Sequence, residues 1–281
     1  MTDWDIEHLA GVRAVALDVD GTIAGGDHRV SPRTADAIRS LTSLDVPVIL
    51  LTGRSRRNTL ELAREVGITN LVAACNGAVV FDPVADENVR VVTMAAADVE
   101  VLIDLHRDLD LELTWWTPDD IVVERDGLMR RQLMELNESE VEVASVEGID
   151  PDQVVKMMLY SSPERLDAAT AEILARAPQG TRSMDVFFEF VDPDANKWAA
   201  LSYLLERLGV SADDVLGMGD GGNDVAWLSR IGHPIAMGNA RDEVIGVTKH
   251  RTGHHAEDGA AEILEVAHDL IAAGRDAPRV R

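Results

Sequence analysis

The chain predicts an α/β protein in which a doubly wound parallel sheet carries an inserted α+β module. Short apolar runs alternate with helical periodicity in both the early and the late part of the chain, the pattern of strand–helix–strand units. Those runs stop in turns rich in glycine and polar residues, as strands of a parallel sheet do where they face a ligand. Between them, residues from about 84 to 186 lack such glycine-punctuated strand ends and are numerous enough to form a unit of their own. The expected division is a core in two parts, 1–83 and 187–281, with 84–186 inserted.

The first strand is Val12–Leu17, a run of small and β-branched residues that ends at Asp18-Val19-Asp20-Gly21-Thr22. Side chains alternate faces along a strand, so Asp18 and Asp20 leave it on one side. Two carboxylates at a buried strand end repel one another unless a cation or a shared proton relieves them, and such a cost points to chemistry. Ala24–Arg29 is a loop beside that pair. Ser31-Pro32 reads as an N-cap and first helical residue, opening a helix through Ala35, Ile38 and Leu41. Val46–Leu51 is a second buried strand that ends at Thr52-Gly53-Arg54-Ser55, and a second helix follows to about Val66. Arg56 and Arg57 read as surface residues of that helix. Leu71–Ala74 is a third strand, from which Asn76-Gly77-Ala78 turns the chain back through Val79–Phe81. Cys75 reads as a buried strand-end residue, not a nucleophile.

In the insertion the patterns give a helix over Ala97–Leu109, strands near Leu111–Trp116, Asp120–Glu124 and Val154–Tyr160, and a helix over Glu164–Ala177. Trp115 and Trp116 are neighbours on one strand, so one faces the module's own core and the other is a candidate to line a substrate opening, as is Lys156. Core patterning resumes with Phe187–Val191. The helix after Asn196-Lys197-Trp198 carries Ala200, Leu201, Leu204, Leu205 and Leu208 on one face and stops at Gly209. Val215–Gly219 then runs into Asp220-Gly221-Gly222-Asn223-Asp224. Pro234–Met237 is a further strand, Gly259–Ala273 a closing amphipathic helix, and 274–281 a frayed tail.

Composition narrows the function. With 281 residues, 46% of them hydrophobic, the chain can bury a sizeable core, built of aliphatic side chains because aromatics make up only 4%. A net charge of −24 argues against nucleic acid and anionic membrane surfaces as partners. No apolar run approaches the ~20 residues of a membrane span, and the acidic Met1–Asp5 start is not that of a signal peptide. The single cysteine allows no internal disulfide, so a reducing, cytoplasmic setting is expected. His254-His255 lacks a companion ligand pattern and is not read as a metal site.

Four strand-end motifs stand in order: Asp18-x-Asp20-Gly21-Thr22, Thr52-Gly53-Arg54, Lys197, and Gly219-Asp220-x-x-Asn223-Asp224. Together they resemble the haloacid dehalogenase superfamily of phosphohydrolases and its Cof-type branch, which Asn76-Gly77 and Glu257-Asp258-Gly259-Ala260 also resemble. The resemblance covers nearly the whole chain and implies a Rossmann-like core with a C2-type cap. It implies a Mg²⁺-dependent phosphatase acting on small phosphomonoesters, a sugar phosphate or related phosphometabolite, through an aspartyl-phosphate. By the same resemblance Asp18 is the nucleophile and Asp20 the general acid and base. Asp18 and Asp220 would hold Mg²⁺ through side chains and Asp20 through its main-chain carbonyl, with Asp224 orienting a metal-bound water or Lys197. Lys197 would meet the phosphoryl oxygens, with Thr52 and Asn223 as neutral donors and Gly21, Thr22, Gly53, Arg54 and Asn76 around the phosphate and substrate. A phosphomutase or phosphotransferase sharing the aspartyl-phosphate, and a phosphate-binding protein without catalysis, are the alternatives. A membrane pump with the same nucleophile is excluded by the missing spans. The expected partner is a small phosphorylated metabolite, and the expected state a monomer or weak homodimer.

Overall fold

The computed structural model describes residues 6–26, 28–137 and 140–276; Met1–Asp5, Asp27 of the early loop and the expected tail beyond Asp276 lie outside them. The chain opens with β1 (Ala14–Leu17), α1 (Pro32–Ser43), β2 (Val48–Leu50), α2 (Arg56–Val66) and β3 (Val72–Ala74). Ser31 caps α1 by accepting from the Thr34 amide, Ser55 caps α2 in the same way from Asn58, and Gly67 ends α2 in the left-handed region. β4 (Val79–Asp82) and β5 (Glu87–Val91) then return antiparallel beside β3.

The insertion follows as α3 (Ala96–Leu109), β6 (Glu112–Trp116), β7 (Ile121–Val123), α4 (Leu128–Asn137), β8 (Glu142–Val143), β9 (Lys156–Tyr160), α5 (Pro163–Arg176), β10 (Thr181–Met184) and β11 (Phe187–Phe190). The core resumes with α6 (Lys197–Leu208), β12 (Val215–Gly219), α7 (Val225–Leu228), β13 (His233–Ala236), α8 (Asp242–Ile245), β14 (His250–Arg251) and α9 (Gly259–Asp276).

The core sheet has the order β14-β13-β12-β1-β2, parallel throughout, and a bridge between Leu51 and Ala73 carries it on to β3. β1 is buried on both faces. Val15 and Leu17 enter one apolar cluster with Ile38, Leu41 and Leu264 of α1 and α9, while Ala14 and Ala16 enter another with Leu201, Leu204 and Trp227 of α6 and α7. Helices therefore cover both faces, the doubly wound arrangement that near-continuous apolar strands require.

The cap sheet has the order β10-β11-β9-β6-β7-β8, antiparallel except where β7 and β8 run parallel. Its outer residues, among them Leu113, Trp115, Met157, Leu159, Phe188 and Phe190, pack with Val99, Leu102, Leu166 and Ile173 of α3 and α5. Its inner face carries Trp116, Met158 and Phe187, which join the larger core cluster.

Two strands lie across the expected boundaries. β5 pairs with β4 and so continues the core hairpin, whereas β11 pairs with β9 and β10 in the cap. The chain passes between units over a few residues: the Val92 amide donates to Ala78 of the core, and the Met94 amide to Val154 of the cap. Glu87–Val91 falls where the glycine-punctuated strand ends lapse, and Phe187–Phe190 where regular patterning resumes, so local pattern assigns each to the wrong unit. The sequence patterns predict no counterpart of α4, β8 and β10 in the cap, nor of β5, α7, α8 and β14 in the core.

Candidate active site

The carboxyl ends of β1 and β12 bring the site together. Asp18 follows β1 directly, its amide donating to Met218 of β12 at 3.0 Å, which seats it in the sheet rather than in a mobile loop. Gly21 turns the chain at φ +83°, and a Cβ there would lie 2.4 Å from Asp220 Oδ2, so both the conformation and the close approach require glycine. Thr22 Oγ1 donates to Asp18 Oδ2 at 3.3 Å.

Lys197 is the first residue of α6, behind the N-cap Asn196, which accepts from the Ala199 amide at 2.9 Å. Its Nζ lies 2.5 Å from Asp18 Oδ1 and 2.7 Å from Asp224 Oδ1, with all three side chains buried. Asp224 Oδ1 also accepts from Trp227 Nε1 at 2.9 Å, and its Oδ2 accepts from the amides of Asp220 at 3.1 Å and Gly221 at 3.0 Å. Asp224 thus ties the lysine, the aspartate loop and α7 into one unit.

Charge is not balanced there. Burial first, and then the neighbouring Asp224 charge, push Asp18 up to about 8, more than Lys197 offsets. Asp220 is pushed up to about 6 by burial and again by Asp224. Burial works against the Lys197 ammonium, but the charges of Asp18 and Asp224 outweigh it and raise its pKa. Carboxylate oxygens of Asp18, Asp220 and Asp224 lie within 4.8 Å of one another. An all-oxygen, excess-negative donor set fits a hard divalent cation. Since each Asp224 oxygen already accepts two donors, Asp18 and Asp220 are the carboxylates left to hold one.

Asp20 leaves β1 on the same side and meets Arg54, whose Nη2 lies 2.7 Å and Nε 3.0 Å from its oxygens. Partial burial pushes Asp20 up, but the hydrogen bonds and charge of Arg54, with His28 beside them, hold its carboxyl below the ordinary range. Arg54, expected near the substrate, lines the cavity and also donates to Asn58 Oδ1 at 2.9 Å and to the His28 carbonyl at 3.0 Å. Thr52 is fully buried after β2, its Oγ1 accepting from the Arg54 amide at 3.1 Å. Gly53, Asn76 and Asn223 line the same cavity as Asp18, Asp20, Lys197 and Asp220, a space of about 850 Å³ between core and cap.

Trp116 and Lys156 line that cavity; Trp115 does not, and packs in the cap's outer cluster. The β6–β9 register sets Trp116 opposite Lys156, and Lys156 Nζ lies 4.3 Å from the centre of the indole ring. Glu189 joins them from β11, its Oε2 2.9 Å from Lys156 Nζ and 3.2 Å from Asn76 Nδ2.

Three residues at this site went unread in the sequence. Glu189 sits in an apolar run, where one acid looks like a solvent-facing strand residue. Asn239 donates to the Gly21 carbonyl at 2.8 Å and to Asp220 Oδ2 at 3.1 Å, and accepts from the His255 amide. It follows a strand as part of Gly238-Asn239, which by composition is only a turn. Trp227 lies in a stretch where the sequence patterns mark no element, yet its indole N–H donates to Asp224.

Comparison with known proteins agrees with this architecture. The chain is 27% identical over 253 residues to a phosphoglycolate phosphatase of Methanothermobacter thermautotrophicus, covering 90% of this chain and 97% of that one. It is 24% identical over 274 residues to the 5-amino-6-(5-phospho-D-ribitylamino)uracil phosphatase YcsE of Bacillus subtilis, covering 90% and 94%. Its fold is that of a haloacid dehalogenase-like hydrolase from Bacteroides thetaiotaomicron, with a TM-score of 0.83, 24% identity, and 90% and 98% of the two chains covered. The family model for haloacid dehalogenase-like hydrolases matches residues 15–264. With that match spanning both halves of the core and the whole insertion, the chain belongs to the haloacid dehalogenase-like hydrolases, in their Cof-type phosphatase branch.

Proposed function

We propose that the protein is a Mg²⁺-dependent phosphatase that hydrolyses small phosphomonoesters through a phosphorylated Asp18. The observation that carries this reading is the convergence of Asp18, Asp20, Lys197 and Asp220, from distant parts of the chain, on the floor of one cavity. An Asp18 carboxylate oxygen attacks phosphorus and the bond from phosphorus to the ester oxygen breaks, while Asp20 gives its proton to the departing alkoxide. Asp20, now a carboxylate, takes a proton from water. The resulting hydroxide displaces Asp18 from phosphorus, releasing inorganic phosphate and restoring the free carboxylate. The Arg54 contacts hold Asp20 in the ionised form suited to that second step, so its role as acid requires the Arg54 grip to loosen. Lys197 supplies a fixed positive charge to the phosphoryl oxygens. Asp18 and Asp220, with the Asp20 carbonyl, would hold Mg²⁺, which when bound offsets the carboxylate charge and polarises the phosphoryl group.

Release of phosphate from p-nitrophenyl phosphate and from a panel of phosphorylated metabolites tests this reading. Activity should disappear in EDTA and return with Mg²⁺. Asp18→Asn should lower kcat by about a thousandfold or more in a folded protein. Appreciable turnover by that variant would sink the mechanism, and full activity after exhaustive chelation would remove the metal from it.

A further inference from the structure

We propose that Lys156 and Glu189 form a net-neutral subsite that reads the part of the substrate beyond the phosphate, selecting leaving groups rich in hydroxyls and free of a second negative charge. The proposal rests on the phosphatase reading above and names the substrate class it leaves open.

The pair stands in the cavity wall, not in a packed core. Lys156 is only 3% exposed, yet its ammonium faces Glu189 at 2.9 Å and the Trp116 ring at 4.3 Å. Two well-packed apolar side chains would hold such a position at least as stably, because desolvating an ion pair offsets most of its attraction. A charged pair in the wall of the cavity that holds Asp18 therefore has a use besides packing. The strand registers put it on the inner face: Trp116 lies opposite Lys156, and Glu189 lies opposite Met158, two residues along β9 from Lys156. Asn76, from the core, donates to Glu189 and fixes the carboxylate from the other side.

A hydroxyl can donate to the Glu189 carboxylate and accept from the Lys156 ammonium, so neighbouring hydroxyls span the pair without changing its charge. A carboxylate or second phosphate would gain Lys156 only by approaching Glu189 as well, and would lose its own hydration. Arg182, the other cap cation on this cavity, is already engaged by Asp167 at 3.2 Å and by the Met184 carbonyl at 3.0 Å.

The test compares two esters that differ only at the far end, sorbitol 6-phosphate and 6-phosphogluconate. The readout is the ratio of their kcat/KM values, which general damage to the protein leaves unmoved. The parental ratio should favour the neutral ester by about tenfold. Glu189→Gln, leaving Lys156 uncompensated, should bring the ratio to about unity or below, and Lys156→Met should raise it by about tenfold again. The double variant Lys156→Met/Glu189→Gln carries no charge there, and should return the ratio to near the parental value, even if one single variant folds poorly. Calorimetric binding of both esters to Asp18→Asn gives the same ratios without turnover. A ratio unmoved in every variant, or moved in the same direction by both single variants, overturns the subsite while leaving phosphatase activity standing. Absence of phosphate release from every ester overturns the phosphatase reading, and the binding ratios then decide the subsite on their own.

Discussion

Arg54 shows how a single side chain sets the state of another. Its guanidinium makes a forked contact with Asp20 that the point charge of a lysine cannot copy. Arg54→Ala should therefore lower kcat for p-nitrophenyl phosphate by roughly ten- to a hundredfold, with Arg54→Lys recovering little of it. A kcat unchanged in Arg54→Ala would show that Asp20 needs no positioning. Cys75 makes the opposite case. It is buried beside the site, and that burial pushes its thiol up to about 11, so it stays protonated at neutral pH. Iodoacetamide should label it slowly in the native protein and fast in denaturant, as counted by mass spectrometry. The residues that the sequence singles out are those at strand ends, where an acid after an apolar run has few other uses. Asn239 and Glu189 escaped that logic because a turn asparagine and a strand glutamate have common structural roles, and only tertiary pairing separates them.

Among the elements, α2 corrects the reading of its own arginines. Arg56 was expected at the surface but is 9% exposed, donating to Asn88 Oδ1 at 2.6 Å and to Asp86 Oδ1 at 2.7 Å, so it straps α2 to β5 and the turn before it. Periodicity misjudged it because an arginine buries its stem while its head finds an acid that lies far along the chain. Arg57 is exposed as expected and reaches Asp120 of the cap at 3.6 Å. The Arg56 hydrogen bond holds Asp86 below the ordinary carboxylate range. A depressed folded pKa stabilises the native state fully above the unfolded value, and the contribution is lost as pH falls through the folded one. Asp86→Asn should accordingly lower Tm at pH 7 by a few degrees, and the gap to the parent should narrow steadily as pH falls below about 4. A gap independent of pH would mean that the carboxylate charge plays no part. α4 and β8 went unread because Gly127 marks only the start of α4, and β8 is two residues long with its partner β7 well before it in the chain.

At the scale of the molecule, the core brings Asp18, Asp20, Lys197 and Asp220 to one cavity, and the cap lines its other side with Trp116, Lys156 and Glu189. No helix among the described residues is long and apolar enough to cross a membrane. The fold class was legible because βα alternation is a local signal, and the insertion because that signal lapses. The boundaries were not, since membership of a sheet is decided by pairing and not by composition. If the cap governs recognition, Trp116→Ala should depress kcat/KM on the best natural ester by about tenfold more than on p-nitrophenyl phosphate. Equal losses on both substrates would place recognition elsewhere.

The pairing of β1 with β12, Ala14 beside Val215, also has a consequence for how the protein is made. Asp18 and Asp220 leave the ribosome far apart in time, with the whole cap and several core elements between them. Contacts within the cap span shorter loops and should form sooner than the closure of β1 on β12. A nascent chain that stops short of Val215 has Asp18 but neither Asp220 nor Asp224. Pulse-labelled hydrogen exchange during refolding should protect amides of β6, β9 and β11 before the Asp18 amide, which donates across that closure to Met218. Protection of all of them in one step would show instead that core and cap assemble as a single cooperative unit.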